Sequence, residues 1–289
     1  MNYAFHILTM IAIYVILGSS MNLIVGFGGR ISLCHAAFYG IGAYAYSLLV
    51  MNLEFSVFIA LPAAVLASGL SALIIGAVAL RLHGDFFALA TLGFQTIIFV
   101  VLYNWVVLTK GPYGITGIPR PDFMGLSGNS PWLMFVLASI CATIVLWLCM
   151  QLTRSPFGRT LQAVRDDSIA AQSLGKAPLR FNLTAFTIGG ALAALAGAIY
   201  AVYASYIDPT SFTLDESVFI LCVVVIGGAG TVRGPVVGSI ILVMLPELLR
   251  FVGLPDAIAA NLRQVIYGLL LVLMMRFRPQ GIAGRYAFD

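Results

Sequence analysis

Long uninterrupted apolar stretches, rather than alternating or amphipathic ones, dominate the chain. A stretch of about 20 apolar residues is what an α-helix needs to cross a hydrocarbon core about 30 Å thick. Because backbone groups find no hydrogen-bonding solvent in lipid, spans of this kind are predicted to be helices. Some stretches are short or broken by glycines, so we expect about nine spans, within a range of about eight to ten. They are predicted at residues 5–25, 31–51, 57–80, 86–108, 132–152, 182–206, 217–231, 235–251 and 263–277.

The composition agrees with this pattern. Of the 289 residues, 61% are hydrophobic and only 9% are charged, whereas a soluble domain carries about 25% charged residues. A cytosolic enzyme, a nucleic-acid-binding protein and a disordered chain are thereby excluded. The predicted fold class is an all-α, polytopic membrane protein, with one transmembrane domain over residues 1–289. No Lys or Arg precedes Arg30, so the first stretch lacks the basic region of a cleavable signal peptide and is expected to remain as a membrane helix.

Basic residues predict the orientation of the chain in the membrane. Eight of the 15 Lys and Arg residues lie in the loop 153–181 and in the tail after residue 275. Loops rich in Lys and Arg stay in the cytoplasm, and the even number of spans between these two segments agrees with that placement. Counting backwards places the N-terminus outside and the C-terminus in the cytoplasm. The loop 109–131 is then external.

Motifs for catalysis or metal binding are missing from the sequence. There is no GxxxxGK[ST] nucleotide motif, and the four cysteines lie in apolar stretches without a CxxC or Cys/His cluster. We therefore expect no catalytic residue, no metal site and no cofactor in this chain. An ion-coupled carrier needs ionisable groups at membrane depth. The predicted positions of the acidic residues argue against such a carrier without excluding it, and a channel also stays open. The acidic residues are predicted at span ends and in loops: Glu54, Asp85, Asp122, Asp208, Asp215, Glu216 and Glu247.

Two glycine-rich breaks, at residues 26–30 and 227–230, interrupt the apolar sequence. Such breaks either let neighbouring helices approach closely or mark broken helices that line a cavity, and the sequence leaves both open. The second span carries small residues at helical spacing just after His35, which is either a ligand or a hydrogen-bonded structural residue. The candidate path residues are Ser32, His35, Tyr39, Gly40, Gly227, Gly228 and Gly230.

The basic loop 153–181 contains a predicted surface helix. Ser155 and Pro156 are typical of a helix N-cap and first position, and Gly175 is typical of a helix end. The segment 157–174 between them is predicted as one polar helix without a clean apolar stripe. It is either a docking element for another protein or a loop whose charges only set the topology. The candidate docking residues are Ser155, Pro156, Phe157, Gly158, Arg159, Arg165, Asp166, Asp167, Ala170, Ala171 and Gly175.

A family resemblance favours the docking alternative. The segment 170–175, with sequence AAQSLG, resembles the Ala-Ala-x3-Gly core of the coupling loop in ABC importer permeases. Ser168 and Ile169 stand where many relatives carry an acid, and Cys34 stands where glycine is common. The chain more specifically resembles permeases of branched-chain amino acid ABC importers. The similar segments run in order along the chain, at residues 29–38, 90–94, 111–119, 155–159, 227–230 and 277–281.

The resemblance implies an inner-membrane permease subunit that is not itself an enzyme. In this family two similar permeases pair around a central path, two cytosolic ATPases dock below, and an external binding protein delivers the substrate. ATP and magnesium would therefore bind to partner subunits. The implied substrates are branched-chain or other neutral amino acids, although relatives also move urea, nucleosides or aromatic acids.

Overall fold

Apolar stretches form helices throughout the part of the chain that the structure describes. This computed structural model describes residues 2–82, 84–120, 130–250, 265–266, 268–270, 272–274, 276 and 280–284. Parts of the predicted ninth span, of the external loop and of the basic tail lie outside these residues, as do Asp122, Arg278 and Arg285. Part of the similar segment 277–281 also lies outside.

The helices follow the predicted order. The first, α1, continues from Asn22 into a π-helical turn at Leu23–Phe27. Two short strands, β1 (Ile115–Thr116) and β2 (Tyr206–Ile207), pair antiparallel. The helices are α1 (Asn2–Asn22), α2 (His35–Asn52), α3 (Val57–Ala79), α4 (Asp85–Asn104), α5 (Val106–Thr109), α6 (Pro131–Arg154), α7 (Pro156–Asp166), α8 (Ser168–Ser173), α9 (Pro178–Ala204), α10 (Leu214–Gly227) and α11 (Gly234–Arg250).

Five helices among the described residues are long and apolar enough to cross a membrane. They are Tyr3–Phe27, Val57–Ala79, Asp85–Asn104, Pro131–Arg154 and Pro178–Ala204. Helices α2, α10 and α11 are shorter, at 18, 14 and 17 residues. The all-α, polytopic fold is confirmed, whereas the number of about nine spans stays a prediction.

Small residues bring α9 close to α2 and α3. A β-carbon at Gly197 would lie 2.1 Å from the carbonyl oxygen of Tyr39, so only glycine allows this approach. Gly42 of α2 lies against Ala194, and Gly190 lies against Ala72 of α3. Membrane helices associate through such close packing because lipid supplies no hydrophobic drive between them.

Large apolar side chains on the outer helices point away from the protein. Phe58 and Ile74 of α3, Ile97 of α4 and Trp147 of α6 are all more than half exposed. An apolar surface of this extent is stable only in contact with lipid or another subunit. The bundle is thus built to be covered by membrane.

The bundle has two distinct ends. The basic end carries α7, α8 and the loop between α10 and α11. The ribbon end carries β1 and β2, where Ile115 lies opposite Ile207. Arg120 at this end donates from Nη2 to the carbonyl oxygen of Tyr203, at 2.8 Å.

Candidate coupling surface and transport path

The segment at the basic end forms two helices, not the single helix predicted over 157–174. Ser155 caps α7 as expected, since its Oγ accepts from the Gly158 N–H at 3.3 Å. Asp167 ends α7 and caps α8, because its Oδ1 accepts from the N–H groups of Ile169 and Ala170, both at 2.9 Å. An Asp side chain that bonds the backbone in this way competes with a continuous helix. The chain therefore turns at Asp167.

Helix α7 has an apolar face, and the expectation that the segment lacks one is wrong for this part. Gly158, Leu161 and Val164 recur at helical spacing and are buried. Leu161 packs in a cluster with Leu23 and Phe27 of the π-helical turn. Phe157 stacks on Phe181 of α9 with ring centroids 5.7 Å apart, while Pro156 and Arg159 are exposed. Helix α7 is therefore fixed to the ends of α1 and α9.

Arg165 joins α7 directly to the π-helical turn. Its Nη1 donates to the carbonyl oxygen of Gly26 at 2.7 Å, and its Nη2 lies 2.8 Å from Asp166 Oδ1. Gly26 also lies against Asn22, whose side chain donates to Thr231 and accepts from the Gly230 N–H, both at 2.9 Å. Hydrogen bonds, together with the close approach of Gly26 to Asn22, thus connect α7, α1 and the loop between α10 and α11.

Helix α8 presents large apolar side chains to solvent. Ile169 is 76% exposed and Leu174 is 80% exposed, and Ala170 between them is exposed as well. Gly175 ends this helix with φ +74°, as expected, and the Lys176 N–H bonds the Ala171 carbonyl at 3.0 Å. Such side chains are stabilised by a protein partner rather than by water.

Ala171, one of the candidate docking residues, does not face outward. It is buried within this chain. Its size reflects the packing of α8 on its own neighbours. Ile169 and Leu174, which sequence reasoning missed, form the exposed surface instead.

A cavity of about 630 Å³ opens beside α7 at the basic end. Arg154, Arg165 and Arg233 line it together with Gly230 and Phe27. Of the candidate path glycines, Gly230 is therefore at a cavity wall.

Gly227 and Gly228 approach this chain's own backbone. A β-carbon at Gly227 would lie 2.0 Å from the Gly234 carbonyl oxygen, and one at Gly228 would lie 2.1 Å from the Gly284 nitrogen. Gly228 also has φ +116°, a conformation that side chains with a β-carbon rarely adopt. The close contact that both glycines allow is internal, and their role in a transport path stays a prediction.

Helix α2 begins inside the bundle rather than at its basic end. His35, its first residue, lies with Nε2 2.7 Å from Ser20 Oγ of α1. At 1.5 Å per residue, Ser20 is about 10 Å from the end of the span at Phe27. The Ser20 hydroxyl donates to the Leu17 carbonyl, so His35 Nε2 donates to Ser20. His35 is fully buried, and its Nδ1 has no partner among the described residues.

Buried polar side chains satisfy the start of α2. The N–H groups of Leu33, Ala36 and Ala37 donate to Thr91, Ser217 and Gln95, at 3.0, 2.9 and 2.8 Å. Gln95 also accepts from the Ser217 hydroxyl at 3.1 Å and donates to the Phe212 carbonyl at 2.8 Å. We call Ser20, His35, Thr91, Gln95 and Ser217 the midplane cluster.

The other candidate path residues near α2 are internal. Ser32 is buried with its Oγ 3.4 Å from Cys34 Sγ. Tyr39 and Gly40 pack against Phe212, which precedes α10. The structure brings these residues to the midplane cluster, and their role in transport stays a prediction.

Helix α10 also begins at mid-depth, which corrects the placement of Glu216. The sequence assigns this acid to an external turn, but its carboxylate is hydrogen-bonded by Tyr14 in the middle of α1. At 1.5 Å per residue, Tyr14 is about 16 Å from one end of the span Tyr3–Phe27 and about 20 Å from the other. Glu216 is therefore an ionisable side chain at membrane depth, a position that usually marks function.

The comparisons with known proteins decide the family. Residues 3–275 match the family model described as the permease component of the branched-chain amino acid transport system. The chain belongs to this family. It is thus a multi-pass inner-membrane permease component of an ABC importer, which works together with other subunits.

Several relatives are similar along most of the chain. The high-affinity branched-chain amino acid transport system permease proteins LivM of Salmonella typhimurium and Escherichia coli are each 36% identical to it, over 96% of this chain and 69% of theirs. The autoinducer 2 import system permease protein LsrC of Salmonella typhi is 30% identical, over 57% of this chain and 46% of its own. No solved structure matches the chain.

Proposed function

We propose that this permease carries branched-chain or other neutral amino acids and docks a cytosolic ATPase through α8. One observation carries the docking proposal. Ile169 and Leu174 are exposed on a short helix that is capped at Asp167 and Gly175. A partner that covers both side chains would gain about 1.5–3 kcal/mol for each, relative to leaving them in water.

The contacts of α7 supply a route from the ATPase to the membrane helices. Movement of α8 pulls on α7, and Arg165 passes the movement to Gly26 in the π-helical turn. Asn22 passes it on to the loop that joins α10 and α11. π-helical turns are frequent at functional sites, where they mark places at which a helix can rearrange. ATP binding would in this way bias which side of the path is open.

The proposed assembly has four kinds of subunit. This chain forms half of the path, a second and similar permease forms the other half, two ATPases bind ATP and magnesium, and an external binding protein delivers the substrate. The basic end would face the cytoplasm because it carries the Arg- and Lys-rich segment, and the ribbon end would face outside. The N-terminus is then external.

The substrate proposal is supported by the names of the relatives. The two LivM proteins are described as branched-chain amino acid permeases, whereas LsrC is described as an autoinducer 2 permease. The identity to LivM is higher and extends over more of the chain. Branched-chain amino acids are therefore the first substrates to test.

The test is ATP hydrolysis by the reconstituted complex across a panel of ligands, each delivered with the binding protein. The panel holds leucine, isoleucine, valine, other neutral amino acids, aromatic acids, urea and nucleosides. We expect one or more branched-chain amino acids to stimulate hydrolysis and to accumulate in vesicles. Stimulation by urea or nucleosides alone would contradict the substrate proposal. Uptake driven by an ion gradient without ATPases would favour a carrier, and downhill flux through this chain alone would favour a channel.

A further inference from the structure

A cavity of about 710 Å³ lies between α1, α10 and α11 in the half of the bundle towards the ribbon end. This volume is within the range of small-molecule sites, which are about 300–1,000 Å³. His6, Met10 and Tyr14 of α1 line one side, and Glu247 of α11 lies on the other. Among the described residues, no Lys or Arg lines the cavity. Three acidic residues do so: Asp215, Glu216 and Glu247.

Glu216 differs from the other two acids in depth and in hydrogen bonding. Tyr14 bonds its carboxylate, while its Oε1 is buried and has no partner among the described residues. Glu247 lies near the ribbon end and already accepts a hydrogen bond from the Tyr3 hydroxyl. A buried carboxylate oxygen without a partner is costly, so a site with such an oxygen favours a cationic ligand.

One part of the cavity wall is apolar and another part carries hydroxyl groups. Met10, Val218, Phe219, Leu242 and Val243 form the apolar part, and the ring of Phe219 lies 4.9 Å from that of Tyr14. The hydroxyl side chains are those of Thr210, Ser211 and Thr213. An acid beside an apolar wall matches a ligand with one ammonium group and an aliphatic side chain. Thr213, which also lines the cavity, makes no side-chain cap to its own helix, and its hydroxyl is the donor that we assign to the ligand's carboxylate.

We propose that the cavity is a binding site for the transported amino acid within the membrane, and that Glu216 binds its α-ammonium group. The inference rests on the proposed amino-acid substrate. An intramembrane acid then binds the substrate of a transporter that is driven by ATP. The substrate leaves the external binding protein and meets Glu216 about halfway across the bundle.

The test measures the chemical accessibility of a cysteine at the cavity wall. Val218→Cys is made in a background without the native cysteines, and the full complex is placed in vesicles. We compare the reaction rates of the trimethylammonium-ethyl and sulfonatoethyl methanethiosulfonates, with and without free leucine. The cationic reagent is expected to react at least tenfold faster, and leucine is expected to slow both reagents. The 2-hydroxy acid analogue of leucine, which lacks the ammonium group, is expected to protect much less.

Variants at Glu216 link these rates to one side chain. Glu216→Gln should reduce the preference for the cation and abolish protection by leucine, whereas Glu216→Asp should keep part of both. Glu54→Gln removes an acid away from the cavity and should change neither. Equal protection by leucine in wild type and Glu216→Gln would overturn the inference.

Two further outcomes separate this inference from the proposed function. Amino-acid uptake by the wild-type complex without any protection of the cysteine would overturn the inference alone. If the wild-type complex transported no amino acid, the proposed function would fail and the inference with it.

Discussion

Arg165 adds a charged hydrogen bond between the surface helix α7 and the membrane bundle. Its side chain is only 11% exposed, and its guanidinium reaches both Gly26 and Asp166. A planar group with several donors can hold two partners at once, which the ammonium group of lysine does less well. Arg165 is therefore placed to transmit force as well as to set charge.

We predict that Arg165→Ala weakens coupling more than ATPase binding. Loss of a hydrogen bond from a charged group costs about 1.5–3 kcal/mol, which loosens α7 from the π-helical turn. The amount of substrate moved per ATP hydrolysed should fall several-fold, while the ATPases still co-purify. For Arg165→Lys, the amount of substrate moved per ATP hydrolysed should lie between the values of the wild type and of Arg165→Ala. Arg180→Ala removes an exposed charge from the same loop and should leave the ratio unchanged; an equal fall in that control would mean that only charge matters.

Gln95 is the centre of the midplane cluster. Its amide oxygen accepts from Ala37 and Ser217, and its nitrogen donates to the carbonyl of Phe212. One side chain thus supports the start of α2 and the turn before α10. Few other residue types could make both kinds of bond at once, since both an acceptor and a donor are needed.

Gln95→Leu should destabilise the protein strongly. The Phe212 carbonyl and the Ser217 hydroxyl would lose their bonds to Gln95, at a cost of about 1–3 kcal/mol each. The melting temperature of the purified protein in detergent should fall clearly. Thr96→Val is the matched control, because Thr96 follows Gln95 on the same helix but is exposed and bonds only its own helix. An equal change of the melting temperature in Gln95→Leu and Thr96→Val would contradict the structural role of Gln95.

The helices show which features the sequence could predict. Long apolar stretches such as 57–80 and 132–152 agree closely with α3 at Val57–Ala79 and α6 at Pro131–Arg154. Length and hydropathy suffice there, because a complete span must be apolar over its whole length. The caps at Ser155 and Gly175 were predictable for a similar reason, since they depend on local backbone chemistry.

Depth in the membrane could not be predicted in the same way. Helix α2 can begin inside the bundle because Thr91, Gln95 and Ser217, distant in sequence, accept from backbone N–H groups at its start. Gln95 also donates to the Phe212 carbonyl in the segment before α10. Hydropathy windows do not register such tertiary hydrogen bonds. The sequence therefore places Glu216 at the end of a span, whereas in the structure it lies near the middle of the bundle. The break at Asp167 was missed because a capping Asp looks like any charge in a surface helix.

At the scale of the molecule, the two ends differ in charge and in structure. The basic end carries α7 and α8, and the ribbon end carries β1 and β2. We predict that a cysteine at Tyr113, which is 81% exposed near β1, is labelled from outside intact cells. A cysteine at Gln172 on α8 should be labelled only after the membrane is opened. Both need a background without the native cysteines, and reversed labelling would contradict the orientation proposed from the basic residues.

The central claim is that α8 docks an ATPase through Ile169 and Leu174. The most direct measurement is ATPase co-purification, with uptake in vesicles, for the double variant Ile169→Asp and Leu174→Asp. Both charges would be placed against the partner surface, so we expect the ATPases to be lost and uptake to fall at least tenfold, since about 1.4 kcal/mol is tenfold in affinity. Gln172→Asp adds a charge to an exposed position of the same helix and should stay close to wild type. Wild-type co-purification and uptake in the double variant would contradict the account.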